Sequence, residues 1–252
     1  MTRRQVTLNL TAKALAVALA FFHPGWAVLV FVSPDLYLLY HLFVPSAQGL
    51  GPVSTRFQTS HREVWLTIDD GPDPADTPRI LELLERHQAR ATFFVIGERA
   101  ARSPELVAEI IRRGHDLGHH SYSHPAGSFW CQLPGGTARE LERGLAVLQV
   151  AGVRPQWFRP PVGIKNLFLR QALEVRNLRC VAWSARGWDS IARDPAHVAA
   201  RVLRAATPGA IILLHEGRGV APAVRVEAIA RVLTGLTAQG YRCTVPTAAQ
   251  LN

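Results

Sequence analysis

Lysine is almost absent from this chain of 252 residues. Lys13 and Lys165 are its only two, so arginine carries nearly all of the net charge of +9. The arginines are scattered along helix-like segments, without a dense run and without interleaved aromatic residues. A surface that binds nucleic acid would show such a cluster, so the charge pattern predicts no nucleic acid among the partners.

Cysteine is scarce as well, with Cys131, Cys180 and Cys243 far apart and no C-x-x-C pair among them. An odd number of distant cysteines indicates neither a disulfide framework nor a zinc–thiolate site. Cys180 and Cys243 lie in apolar strand-like runs and are predicted to be small core residues. No G-x-G-x-x-G loop follows the first strand-like run, which argues against a dinucleotide-binding fold.

Charge is nearly missing from residues 8–44, where Lys13 and Asp35 are the only ionic side chains apart from two histidines. A bilayer core takes about 20 apolar residues per helix, so residues 1–45 are predicted to form a membrane anchor of one or two helices. The stretches "HPGW" and "SPD" interrupt the apolar run. A helical hairpin, one kinked span, an uncleaved signal-like anchor and an apolar helix packed on the globular domain all remain open.

The flanking arginines do not decide the membrane side. Arg3 and Arg4 place the N-terminus in the cytoplasm under the positive-inside rule, whereas Arg56 and Arg62 favour a hairpin that returns there. We expect attachment to a membrane, most simply the bacterial inner membrane, with the side of the following domain left open. Residues 46–62 are predicted to be a flexible linker, and residues 63–252 one catalytic domain.

Strand-like and helix-like segments alternate from residue 64 onward. The helix-like segments include 77–88, with Pro78 near its start, and 103–114, with Ser103 as a predicted N-cap. Strands that alternate with helices imply right-handed crossovers and a mostly parallel sheet. The rhythm predicts an α/β fold, a small barrel of seven β/α units, complete or incomplete. Its strands are predicted at 64–70, 91–97, 116–121, 157–161, 179–185, 210–216 and 241–245.

Polar residues gather at one end of these strands. In β/α barrels the chemistry collects at the C-terminal ends of the strands. Scattered structural residues would not fall at the same end of five strands, so the placement predicts one shared pocket. Its candidates are Asp69 and Asp70 after the first strand, His119, His120 and His124 at the third, Arg159 at the fourth, Asp189 after the fifth, and His215 with Glu216 at the sixth.

The candidate residues suit a divalent cation and a hydrolytic reaction. His120 and His124, four residues apart, form a typical Lewis-acid site together with Asp70, and zinc is the first choice. The cation keeps the neighbouring Asp69 ionised as a base for the attacking water.

Two further residues complete this chemistry. Arg159 is predicted to orient Asp69 through a guanidinium–carboxylate pair, and His215 to protonate a leaving amine. Alone, "DDGP" would be an ordinary turn, "RPP" a loop and "LLHEG" a strand end. Their joint occurrence in this order favours the hydrolysis of an acyl group by water.

These residues resemble, in order and spacing, the NodB-type polysaccharide deacetylases of carbohydrate esterase family 4, from about residue 64 to 245. The family motif TFDDGP is matched by "TIDDGP", H-[ST]-x-x-H by "HSYSH", R-x-P-Y by "RPPV", and the last motif by "LLH". The resemblance implies a distorted (β/α)7 barrel and metal-dependent removal of an N-acyl group from an amino sugar. It also implies that Asp69 is the catalytic base and that Asp70, His120 and His124 are the metal ligands.

Two departures from the family pattern concern the substrate and the base. Val162 replaces the usual tyrosine, so its backbone N–H, beside Pro161, is expected to help hold the oxyanion without an aromatic contact to the sugar. The usual acidic stretch is "WSARGWDS" here, and Asp189 is the candidate for the acid that supports Arg159. Trp188 in this stretch and Trp130 in an earlier loop are the candidate sugar-contacting aromatic residues.

The main prediction is a membrane-associated, metal-dependent hydrolase that removes an N-acyl group, N-acetyl before others, from an amino sugar. The substrate is either a polysaccharide such as peptidoglycan or a lipid-linked sugar at the bilayer, and the hydrophobic N-terminus favours the second. The runner-up is a catalytically impaired sugar-binding module of the same fold, suggested by the altered third and fourth motifs. The complete set of pocket residues argues against this runner-up.

Overall fold

A curled parallel sheet forms the centre of the fold. The computed structural model describes residues 3–217 and 219–251. Within them the strands are β1 (Val53–Ser54), β2 (Glu63–Asp69), β3 (Ala91–Val95), β4 (Asp116–His119), β5 (Trp157–Phe158), β6 (Arg179–Val181), β7 (Ala185–Arg186), β8 (Ile211–His215) and β9 (Arg242–Cys243). Their order is β1-β6-β5-β4-β3-β2-β8-β7, with β9 paired to β2. This half-barrel of parallel strands confirms the predicted α/β fold.

Helices precede and connect the strands. Those in the described residues are α1 (Arg3–Leu19), α2 (Pro24–Phe43), α3 (Thr77–Arg86), α4 (Gly97–Arg102), α5 (Pro104–Arg112), α6 (Pro134–Val150), α7 (Leu169–Glu174), α8 (Pro195–Ala205) and α9 (Pro222–Ala238). Proline stands in the first turn of most of them, where its missing N–H has no intrahelical partner to lose. In α8 the Asp194 side chain also accepts a hydrogen bond from Ala196 N, so this helix start is capped.

Strand β2 shows why the two faces of the sheet differ. Successive side chains of a strand point to opposite faces. Val64, Leu66 and Ile68 belong to the large core that the helices cover. Trp65 belongs to a separate cluster on the other face, where its ring lies 5.4 Å from that of Trp157. Asp69 follows Trp65 at a spacing of four, so alternation carries this carboxylate onto the inner face.

The predicted linker, residues 46–62, is packed against the sheet. The side-chain amide of Gln48 bonds both backbone groups of Val53, at 2.8 and 2.7 Å. Residues 53–54 form β1, which pairs with β6. Phe57 N donates to Gly209 O at 2.9 Å. These backbone bonds hold much of the segment in place, which composition alone did not indicate.

The predicted strand at 179–185 is split into β6 and β7. Ala182 N donates to Ser54 O beside β6, whereas Ser184 N donates to Ile211 O of β8. Because β6 lies near one end of the sheet order and β7 at the other, residues 182–184 bridge the two edges of the curled sheet. We call this stretch the seam.

Helices α1 and α2 form an antiparallel hairpin. Asn9 Nδ2 and Lys13 Nζ both contact the carboxylate of Asp35, at 3.3 and 3.1 Å. Helix α2 is long and apolar enough to cross a membrane, and α1 is a shorter apolar helix. Near the connecting turn Phe21 is 83% exposed and Trp26 67%. The sequence left open whether this segment forms one helix or two, and the structure has two helices joined by a turn.

Gly144 of α6 gives a test of this packing. A Cβ at this position would lie 2.3 Å from Cε1 of the buried His119. Gly144→Ala is therefore expected to lower the free energy of unfolding by about 1–3 kcal/mol, although alanine is the better helix former. Gly136→Ala, in the same helix with its nearest neighbour at 3.5 Å, is the matched control. Denaturant unfolding followed by tryptophan fluorescence should show a loss for the first variant alone; equal midpoints would contradict this packing.

Candidate active site

Parallel register brings the ends of several strands to one level. Asp69 at the end of β2 pairs with His215 at the end of β8. His119 of β4 pairs with Phe158 of β5. His120 and Arg159, each one residue further along, therefore also lie at the C-terminal edge of the sheet. The gathering of polar residues expected from the sequence follows from this register.

A cavity of about 280 Å³ opens at this edge. Arg159 does not line the cavity, but its buried side chain donates a hydrogen bond to Asp69, which does. Trp130 and Pro161 do not line it: the ring of Trp130 packs 5.8 Å from that of Phe43 in α2, and Pro161 is buried in the turn before Val162. The residues that line it are Asp69, Asp70, His120, His124, Val162, Trp188, Asp189 and His215, all expected from the sequence, together with Gly163, Trp183, Arg186, Ser190 and Leu213.

Asp70, His120 and His124, here called the ligand group, have the chemistry of a metal site. Their ligand atoms all lie within 4.8 Å of one another, and the three residues are buried. Asp70 Oδ1 is 3.5 Å from His120 Nε2 and 3.3 Å from His124 Nε2. His120 Nδ1 lies 2.7 Å from Arg159 O, which leaves Nε2 as the ligand atom facing Asp70. One carboxylate and two imidazoles in this arrangement fit a divalent cation.

The backbone around the ligand group is unusual. Asp70 and His124 have φ values of 73° and 52°, in the left-handed region that non-glycine residues seldom adopt. Such conformations concentrate at functional sites, where surrounding structure enforces them. Burial disfavours the charged form of Asp70, but the hydrogen bond with His120 and the charges of the nearby histidines outweigh it and hold the pKa of this carboxyl below its ordinary value.

Asp69 is held by a buried arginine. Nη1 of Arg159 donates to Asp69 Oδ1 at 2.5 Å and to Thr67 Oγ1 at 2.8 Å. The other guanidinium nitrogens donate to the carbonyl oxygens of Val181 and Ala182 at 3.2 and 3.0 Å. Thr67 is missing from the residues singled out in the sequence. Its position two residues before Asp69 was the available signal, since it places both side chains on one face of β2.

Asp189 supports His215 and not Arg159, contrary to the expectation from the sequence. Asp189 Oδ2 accepts a hydrogen bond from His215 N at 2.6 Å, and Oδ1 lies 3.0 Å from His215 Nδ1. The physical reason is the register of β7 on β8, where Arg186 pairs with Leu213, so that the following residues run alongside His215. Burial lowers the pKa of His215, but the charge and hydrogen bond of Asp189, followed by the charges of Asp69 and Asp70, raise it to about 9.

Glu216 fills the space beside the turn that presents Asp70. Its side chain is fully buried and hydrogen-bonded to Thr77. Burial raises its pKa to about 8, so it is largely uncharged at neutral pH. A Cβ on Gly71 would lie 1.7 Å from Glu216 Oε1. The glycine that follows Asp70 is therefore required by this neighbour.

The cavity of the half-barrel brings ionisable side chains together beside a group of residues that could hold a metal ion, an arrangement that suits hydrolysis. A sequence model described as polysaccharide deacetylase matches residues 57–181. A peptidoglycan-N-acetylglucosamine deacetylase of Bacillus cereus is 33% identical over 201 residues, which cover 76% of this chain and 90% of that protein. This chain belongs to the polysaccharide deacetylase family, and it is an enzyme that hydrolyses carbon–nitrogen bonds other than peptide bonds.

Two further relatives widen the comparison. A chitooligosaccharide deacetylase of a Bradyrhizobium species is 36% identical over 160 residues, covering 62% of this chain and 71% of the relative. The crystal structure of a carbohydrate esterase family 4 pseudoenzyme from Bacillus anthracis has a TM-score of 0.70 and 26% identity, with 80% of this chain and 69% of that chain covered. Deacetylases of this family depend on a metal, and the ligand group is the candidate metal site of this chain.

Asp189→Asn tests the pairing of Asp189 with His215. The amide removes the charge that favours the imidazolium, so the pKa of His215 should fall by about one to two units, the equivalent of one charged hydrogen bond. Because the pKa of His215 is higher in the folded protein than in the unfolded chain, the protonated imidazole stabilises the fold. This stabilisation is fully present below about pH 6.5 and is lost as the pH rises through about 9. Asp189→Asn should lose it at lower pH.

The measurement is an NMR titration of His215 in the full-length protein. Asp194→Asn is the matched control, because Asp194 caps α8 and asparagine caps equally well. The control should titrate as the wild type. An unchanged His215 titration in Asp189→Asn would show that another group sets this pKa.

Proposed function

We propose that this protein removes an N-acyl group, N-acetyl before others, from an amino sugar by metal-dependent hydrolysis. The observation that carries the proposal is the presence of two separate ion pairs beside the ligand group, Arg159 with Asp69 and Asp189 with His215. The first suits a general base and the second a general acid. The relatives named for peptidoglycan and chitooligosaccharide deacetylation support an N-acetylated amino sugar as the substrate.

The proposed reaction uses each pair once. Asp69 takes a proton from the attacking water, and the hydrogen bond from Arg159 directs its carboxylate. The water oxygen bonds to the acyl carbon. His215 gives its proton to the amide nitrogen as the carbon–nitrogen bond breaks, which leaves a carboxylic acid and a free amine. A divalent cation held by the ligand group, with zinc as the first choice, would supply Lewis-acid polarisation of the acyl oxygen.

Val162 and Trp188 are our candidates for substrate contact. Both line the cavity, and they are 50% and 43% exposed. The turn at Val162, with φ of 51°, lines the same cavity as the ligand group, and we assign its backbone N–H to the acyl oxygen. Trp130 and Pro161 lie outside the lining, so we assign them to the surrounding rim and turn.

The competing function is a sugar-binding module without turnover. It has a specific observation in its favour, since one structural relative is a pseudoenzyme and the fold alone does not guarantee activity. Against it, the base and the acid of this chain each have a buried ionic partner. A module that only bound sugar would have no need for either pair.

Asp69→Asn and His124→Ala test the proposed roles together. Asp69→Asn is expected to lower acetate release from N-acetylglucosamine oligomers by at least about a hundredfold, the usual contribution of a general base, while the metal content stays at one ion per chain. His124→Ala should lose the metal as well, because only two ligands remain. Acetate assays with zinc and with a chelator, alongside elemental analysis, measure both.

The contrast between the two variants decides the outcome. Near-normal rates for Asp69→Asn would refute its role as base. Full metal content in His124→Ala would refute the ligand group. Sugar binding by the wild-type protein without acetate release from any polymeric or lipid-linked substrate would favour the binding module.

We further propose that the α1–α2 hairpin inserts into a membrane. The 20 residues of α2 extend about 30 Å, which matches the hydrocarbon thickness of a bilayer. Lys13 and Asp35 are paired with each other across the hairpin, as ionic groups within a membrane are expected to be. Gln5 Nε2 donates to Gly49 O at 2.5 Å, so the start of α1 contacts the segment that follows α2.

The base of this hairpin adjoins the cavity. Phe43 at the end of α2 packs on Trp130. Pro45 packs so closely on Gly163 of the cavity wall that a Cβ there would lie 2.8 Å from it. Lys165 Nζ donates to Val44 O and Pro45 O at 2.7 and 3.1 Å, which secures this junction. A cavity so close to an inserted hairpin favours a sugar presented at the membrane surface, lipid-linked before polymeric.

Reporter fusions test the hairpin. Both ends of an inserted hairpin lie on one side of the membrane, so reporters at the N-terminus and the C-terminus should give the same compartment. A single span would place them on opposite sides. The matched control is a fusion to residues 1–22, which removes α2 and should move the C-terminal reporter to the other side or release the protein. Opposite compartments for the full chain would refute the hairpin.

A further inference from the structure

Arg186 lies in the cavity wall, and neither the proposed acid–base groups nor the ligand group uses it. Its Cζ is 3.0 Å from the ring centroid of Trp188 and 5.6 Å from that of Trp183. Within residues 3–217 and 219–251, no carboxylate forms an ion pair with this guanidinium and no oxygen accepts a hydrogen bond from it. The guanidinium therefore contacts aromatic rings, and its N–H donors remain available to a ligand.

The charges around Arg186 leave it uncompensated. Asp189, the acid whose charge acts on it, already bonds His215 through both carboxylate oxygens. Arg201 of α8 adds a second positive charge, which, after burial, is the next cause that lowers the pKa of Arg186. A partly buried guanidinium beside a like charge gains from the arrival of an anion.

We propose that Arg186 binds an anionic group of the substrate, a phosphate or a carboxylate carried next to the N-acylated sugar. Both oxyanions accept two parallel hydrogen bonds from a guanidinium edge. The indole rings of Trp183 and Trp188 hold that edge in place before the substrate arrives, which reduces the entropy lost on binding. That the substrate contains an N-acylated sugar rests on the proposed function. That it also carries an anionic group is inferred from the surroundings of Arg186.

The two possible sources of the anion differ in kind. A phosphate would belong to a sugar linked to a lipid, in agreement with the hairpin beside the cavity. A carboxylate would belong to an acidic sugar of a polymer. The chemistry at Arg186 is shared, so the probes of the experiment have to separate them.

The test uses the full-length protein and three N-acetylated probes. They are the neutral N-acetylglucosamine tetramer, N-acetylglucosamine joined to farnesyl diphosphate, and the disaccharide of N-acetylglucosamine and N-acetylmuramic acid. Arg186→Gln is expected to raise KM for a charged probe about tenfold or more, as for a lost charged hydrogen bond. Its KM for the neutral tetramer should rise much less, so the ratio of KM between charged and neutral probes is the quantity that tests the anion site. The difference in KM between the wild type and Arg186→Gln for a charged probe should decrease as salt is added.

Two variants control for packing. Arg186→Lys keeps the charge but loses the planar fork, so its KM for the charged probe should fall between those of the wild type and Arg186→Gln. Arg154→Gln, at an exposed arginine outside the cavity, should behave as the wild type. An equal loss for all three probes would mean that Arg186 only supports Trp188, and would overturn the anion site.

Binding calorimetry with the same probes separates this proposal from the proposed function. If no probe is hydrolysed, the deacetylase assignment fails for these substrates. Tighter binding of a charged probe than of the tetramer, abolished in Arg186→Gln, would still support the anion site. Equal binding of charged and neutral probes by the wild type would overturn it. Selectivity for the diphosphate probe identifies a lipid-linked source, and selectivity for the muramic acid probe a polymer.

Discussion

The ion pair between the buried guanidinium of Arg159 and Asp69 is the interaction on which the rest of the structure depends. The guanidinium pairs with Asp69 at the end of β2, and it donates to the carbonyl oxygens of Val181 and Ala182, where the chain enters the seam. The backbone carbonyl oxygen of Arg159 forms a hydrogen bond with the ring of His120. A buried cation is tolerated only when its donors are satisfied in this way. Through its side chain and its backbone carbonyl, Arg159 therefore holds the proposed base, the start of the seam and one proposed metal ligand.

Neighbouring strands carry the two ionisable groups to which we assign opposite tasks. Asp69 and His215 are paired in the β2–β8 register, yet each has its own partner of opposite charge. Arg159 orients the Asp69 carboxylate, and Asp189 favours the imidazolium of His215. These separate partners support the proposed division of the two groups into base and acid. The wall of the same cavity carries a further positive charge, Arg186, which packs on Trp188.

Local pattern predicted much of the fold and of the site. The alternation of strands and helices, and the collection of polar residues at strand ends, place Asp69, Asp70, His120, His124 and His215 together because parallel strands share one C-terminal edge. The errors concern contacts between distant segments. The partner of Asp189 depends on the register of β7 on β8, and the position of Trp130 depends on a hairpin that starts far upstream. No periodicity within a short window contains that information.

The close approach of Gly71 to Glu216 has a consequence for how this sequence can change. A side chain at 71 requires the space that Glu216 Oε1 now occupies, and Glu216 is fully buried. The two positions, distant in the chain, are therefore sterically coupled. A larger residue at 71 becomes accessible only after position 216 has become shorter. Divergence of the doubled-aspartate turn is thus governed from the end of β8, by a residue that touches no reacting atom.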